Sequence, residues 1–85
     1  MPRYFFHVQN DQALPDNEGT ELPDLLAARV NAVKLAGEIL KHHAETFWTE
    51  GEWSLKVTDE SGLTLFTLYF LAVEAPITRR SQRQS

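Results

Sequence analysis

The sequence predicts an α+β domain of order β-α-β-β, with one long amphipathic helix packed on one face of a three-stranded sheet. Three observations predict it. An aromatic run opens the chain at Arg3-Tyr4-Phe5-Phe6-His7-Val8, helical periodicity follows Pro23-Asp24, and two β-rich runs flank Asp59-Glu60-Ser61-Gly62. At 85 residues there is material for one core only. Residues 1–77 therefore read as a single domain and residues 78–85 as a disordered basic tail.

The first strand should turn Tyr4, Phe6 and Val8 to the core and Arg3, Phe5 and His7 to the other face. Residues 9–21 hold Pro15, Gly19 and a group of acidic side chains, the composition of a loop, with a short extended piece at 19–22. Asp24 suits a helix N-cap, since its carboxylate can accept free N–H groups of the first turn. The helix is expected to run to Trp48. At about 100° per residue, Leu25, Ala32, Val33, Ala36, Ile39, Leu40 and Phe47 share one stripe, with Ala27, Asn31, Lys34, Glu38, Lys41 and Glu45 opposite. Gly51 supplies the left-handed residue that ends a helix. Glu52 to Thr58 alternates strictly and places Trp53, Leu55 and Val57 inward. Asp59 to Gly62 makes a tight hairpin loop, and Leu63 to Val73 returns as the last strand.

Composition narrows the function classes. The chain has no cysteine, so neither a disulfide nor a thiolate nucleophile is available. Net charge is −4, and residues 1–78 carry five basic against twelve acidic side chains, a field that repels nucleic-acid phosphates. No apolar run approaches the roughly 20 residues that span a bilayer, and the opening residues lack a signal-peptide core. A soluble, cytoplasmic protein without membrane contact is the expectation.

The opening Met-Pro-Arg-Tyr-Phe-Phe-His-Val, the middle Glu21-Leu22-Pro23-Asp24-Leu25 with Ala27-Ala28-Arg29, and the later Gly51-Glu52-Trp53, Val57-Thr58-Asp59-Glu60 and Leu65-Phe66-Thr67-Leu68 resemble a family of short uncharacterised bacterial proteins. That family is a domain of unknown function. The resemblance covers most of residues 1–70 and implies a stand-alone cytoplasmic bacterial protein, with no catalytic residue, cofactor or substrate to carry over. The strand, acidic loop and Ala-rich helix are also similar in pattern to partial ribonuclease-H-like antitoxin domains, from which the hairpin after the helix departs.

Candidate site residues are few. Arg29 falls near the centre of the apolar stripe, where a guanidinium must snorkel past the sheet edge, pair with an acidic side chain of the 9–21 loop, or grip a bound carboxylate or phosphate. His43 lies on the same stripe and His42 about 100° round from it. With His7 on a different element, a histidine metal site is not expected, and neither is a cofactor. No Gly-rich phosphate loop, zincin motif or serine elbow occurs, so an enzyme is not expected. One helix covers one face of a sheet, which leaves Phe5, His7, Leu65 and Tyr69, with Lys56 and Thr67, on an open face. Arg79, Arg80 and Arg83 could touch phosphates but read as a solvated tail. The sequence thus points to a non-enzymatic interaction domain, homo-oligomeric or bound to another protein, acting through the open sheet face or an edge strand. Its rivals are a small-ligand or anion sensor centred on Arg29 and His43, and an antitoxin-like protein that binds nucleic acid or a toxin.

Overall fold

In the computed structural model, residues 1–10 and 13–75 are described, Glu50 by its backbone alone. The expected tail, from residue 78, lies outside the described residues. The chain runs β1 (Arg3–Gln9), β2 (Ala13–Leu14), β3 (Thr20–Glu21), α1 (Leu25–His42), α2 (Phe47–Glu50), β4 (Glu52–Thr58) and β5 (Thr64–Leu71). It is an α+β domain with α1 packed on one face of an antiparallel sheet.

Among the described residues the sheet has five strands rather than the expected three, in the order β2-β1-β4-β5, with β3 also on β1. The extra two come from the acidic loop. β4 occupies one edge of β1, with Phe6 opposite Val57 and Val8 opposite Leu55. On the other edge the loop doubles back twice, setting Leu14 against Val8 and Thr20 against Tyr4. Between these two contacts the Asp16 carboxylate takes the place of a strand, accepting the Phe6 N–H at 3.1 Å. Backbone groups left bare beside a core are costly, and two dipeptide strands and one carboxylate remove that cost at β1. Alternation along the sequence does not register such short pairings.

Tyr4, Phe6, Trp53, Leu55 and Val57 are buried, the inward face that period-two alternation predicts. Leu55 and Val57 are fully enclosed, and burial of each contributes about 1.5–3 kcal/mol. The helix meets them differently from expectation. Its buried residues are Ala28, Ala32 and Ala36, spaced so that one alanine faces the sheet per turn. Leu25, Val33 and Arg29, placed centrally by the periodicity argument, are exposed. The sheet face already carries Tyr4, Phe6 and Trp53, whose bulk leaves room only for methyl groups beneath the helix, so the small residues turn inward and α1 rides close.

Asp24 caps α1 as predicted, its Oδ1 accepting the Ala27 N–H at 2.9 Å. The helix stops at His42 instead of Trp48. His43 leaves helical geometry (φ −117°, ψ 28°) and its N–H is shared between the Ile39 and Leu40 carbonyls, the three-centre bond common at helix ends. A turn and the four-residue α2 follow, closed by Gly51 at φ 77°.

Candidate functional site

Along β1, β4 and β5 the residues that alternate away from α1 form the open face: Phe5 and His7, then Ser54, Lys56 and Thr58, then Thr67, Tyr69 and Leu71. Phe5 and His7 stack with ring centroids 6.4 Å apart. Tyr69 is 69% exposed. Leu65, expected beside them, lies elsewhere. The β4–β5 register shifts between Val57 (opposite Phe66) and Thr58 (opposite Thr64), so Leu65 is the extra residue of a bulge. It packs against the core cluster and shares a shallow hollow with Tyr4 and Leu25.

His7 is wired into the fold. Its Nδ1 accepts the Asp16 backbone N–H at 3.1 Å, and its Nε2 lies 3.0 Å from Thr58 Oγ1. An Nδ1 that accepts carries no proton, so the neutral ring holds its proton on Nε2 and donates it to the buried threonine. A histidine that donates to a hydroxyl cannot also act as its base. The Asp16 carboxylate does not orient the ring; it accepts N–H groups from Phe6, Glu18 and Gly19. Partial burial pushes the Asp16 carboxyl up, but the N–H groups of Phe6, Gly19 and Glu18 outweigh it and hold it below the ordinary carboxylate value. His7, Asp16 and Thr58 therefore tie the loop to the sheet edge. Gly19 completes the turn at φ 74°, with Arg3 and Phe5 packed over it.

The residues of the expected anion site are not brought together. Arg29 is exposed. His43 caps α1 and lays its ring against Trp53, centroids 5.1 Å apart. Fourteen helical steps at about 1.5 Å each put the two residues roughly 21 Å apart along the axis, too far to grip one carboxylate or phosphate. A hollow of about 700 Å³ opens at one end of the sheet among Gln9, Asn10, Glu52, Ser54 and Tyr69. None of its lining residues is basic, so it offers an anion no counter-charge. Among the described residues no group of three His, Asp, Glu or Cys side chains could hold a metal ion.

The most distinctive surface is the outer edge of β5. Among the described residues this strand ends the sheet; it runs for eight residues and sits within Gly62 to Val73, a stretch with no charged residue and no proline. Leu63, Tyr69, Leu71 and Val73 are each more than 60% exposed there. Phe66, Leu68 and Phe70, on the helix side, are only half-buried, because α1 lies over β4. Sequence alternation identifies β5 as a strand but not as the end of the sheet among the described residues. That depends on β2 and β3 occupying the opposite edge.

A family model described as Domain of unknown function (DUF6894) matches residues 3–71, and the chain belongs to that family. No curated protein matches the chain, and no solved structure does. Among the described residues no helix is long and apolar enough to cross a membrane.

Proposed function

We propose that this member of the DUF6894 family is a non-enzymatic, cytoplasmic interaction domain that self-associates by pairing β5 with β5 of a second copy. The observation that carries the reading is the uncharged edge of β5 at the end of the sheet. Edge strands expose a row of N–H and C=O groups, and monomeric proteins blunt them with lysine, proline, short length or a covering segment. The opposite edge of this sheet is blunted in that way by β2, β3 and the Arg3–Glu21 ion pair at 3.0 Å. β5 has a bulge at one end only.

Self-pairing also suits the charge distribution. Two copies of a chain at −4 repel across most surfaces, but the 62–73 segment brings no charge to the contact. A strand meeting its own copy about a two-fold axis is antiparallel, the sense of every pair already in this sheet. The union would make one continuous sheet and cover the half-buried Phe66, Leu68 and Phe70 from both sides.

Sedimentation of the full chain with a Thr67→Lys/Tyr69→Lys double variant tests this reading. Each lysine appears twice across a two-fold axis, and like charges facing one another oppose pairing. Wild type should sediment as a dimer at roughly 100 µM, well above the dissociation constant of a specific contact, and the variant as a monomer with an unchanged circular dichroism spectrum. A wild type that stays monomeric, or a folded variant that stays dimeric, refutes it.

A further inference from the structure

A second surface, independent of β5, lies on the solvent side of α1. Leu26, Val30 and Val33 are 66%, 47% and 62% exposed, although an isolated helix of this length has ample polar alternatives. Continued by Gly37 and Leu40, they are spaced 4, 3, 4 and 3 residues apart. This is the a/d seam of a helix pair, and it sits well round the helix from Ala28, Ala32 and Ala36. At Gly37 a Cβ would meet nothing within 4 Å, which leaves the middle of the seam open to close approach. Beside the seam a shallow hollow of about 390 Å³ is bounded by Leu22, Leu26, Val30 and Lys34, with Asp24, whose carboxylate caps α1, at its N-terminal end.

Charge decides what fits. Arg29 borders the seam on one side, Lys34 and Lys41 on the other, at the e and g positions that set partner choice in paired helices. Glu38 lies farther round the helix. A second copy of α1, parallel or antiparallel, would bring these basic side chains against one another. An anionic membrane surface is recognised by clusters of roughly four to eight basic residues, and the seam is flanked by Arg29, Lys34 and Lys41 alone. We infer that the Leu26–Val30–Val33 seam of α1 is a docking site for an amphipathic helix of another protein whose flanking positions are acidic.

The probes are two synthetic helical peptides of about three heptads, each with leucine at a and d, one with glutamate and one with lysine at e and g. Each is titrated into the full chain at low and high salt. The glutamate peptide alone should bind, more weakly as salt rises, and binding should fall about tenfold or more in Val33→Glu, where a charge enters the seam. The Arg29→Glu/Lys34→Glu/Lys41→Glu variant should exchange the preference for the lysine peptide. These sites are all on the solvent side, so the fold should survive. Failure of both peptides to bind, equal binding of both, or binding to phosphatidylserine vesicles in their place overturns the inference. So does loss of self-association in Val33→Glu, which would assign the seam to a second copy. The peptide-binding results are independent of whether β5 pairs.

Discussion

Replacing Ala32 with leucine probes how α1 sits on the sheet. Ala32 is fully buried, with Ala28 and Ala36 one turn to either side, and the sheet beneath presents Tyr4, Phe6, Leu55 and Val57. Three added carbons have no cavity to enter, so the helix must lift or the aromatic rings must leave their rotamers. Overpacking of this kind costs about 1–3 kcal/mol, and lifting the helix would also loosen Ala28 and Ala36. For a domain of this size each kcal/mol lowers Tm by about 4–8 °C. The matched control is Val33→Ala. Val33 is 62% exposed, so little burial is lost, and the better helix propensity of alanine offsets it by a few tenths of a kcal/mol. Urea and thermal melts of both variants separate the observed seating from the stripe expected from periodicity. Ala32→Leu should lose stability and Val33→Ala should not. A loss above about 2 kcal/mol in Val33→Ala, the range for truncating a buried side chain, with Ala32→Leu neutral, would refute the seating described here.

Three further predictions concern the loop on β1. Asp16→Asn keeps the size of the side chain but cannot accept from Phe6 and the Gly19 turn together, and should cost about 1–2 kcal/mol at pH 7 in urea melts, near the low end because solvent reaches the group. The folded Asp16 carboxyl lies below its usual 3.8, so its contribution is complete above that pH and is lost as pH falls through the lower folded value. Stability measured from pH 5 downward should therefore fall more steeply in wild type than in Asp16→Asn; parallel curves would remove Asp16 from the account. Gly19→Ala should destabilise more than Gly62→Ala. Both glycines have positive φ, worth about 1–2 kcal/mol against alanine, but a Cβ at Gly19 would also come within 2.7 Å of Arg3 Cγ and 2.9 Å of Phe5 Cε2, whereas Gly62 has open space.

The central strands were legible because each carries its own pattern. Trp53, Leu55 and Val57 alternate, and their burial follows from the pleat alone. Asp24 was legible as a cap for the same local reason. The helix face was less so, since hydrophobicity ranks leucine and valine above alanine while packing against a face rich in aromatic rings selects for small size. Leu65 was misplaced because a bulge shifts register by one residue, and a one-residue slip moves a side chain to the other face. The Asp16 tie left a readable trace. Asp16-Asn17-Glu18-Gly19 and Asp59-Glu60-Ser61-Gly62 share the pattern Asp-x-x-Gly, and in both the aspartate accepts local backbone N–H groups, as turn aspartates do. Arg29 was misjudged with the stripe. Once α1 is rotated, its charge faces water and calls for no partner in the core.

Hydrogen exchange at the β5 amides tests the central claim most directly. Successive N–H groups of a strand point to opposite edges, so in a lone domain those of β5 that face away from β4 exchange with water while their neighbours are protected. In the paired form both sets are protected. Amide exchange followed by nuclear magnetic resonance at high and low protein concentration should show protection at every residue from 66 to 71 in the concentrated sample, with every second amide becoming labile on dilution. Alternate labile amides at every concentration would contradict self-association through β5.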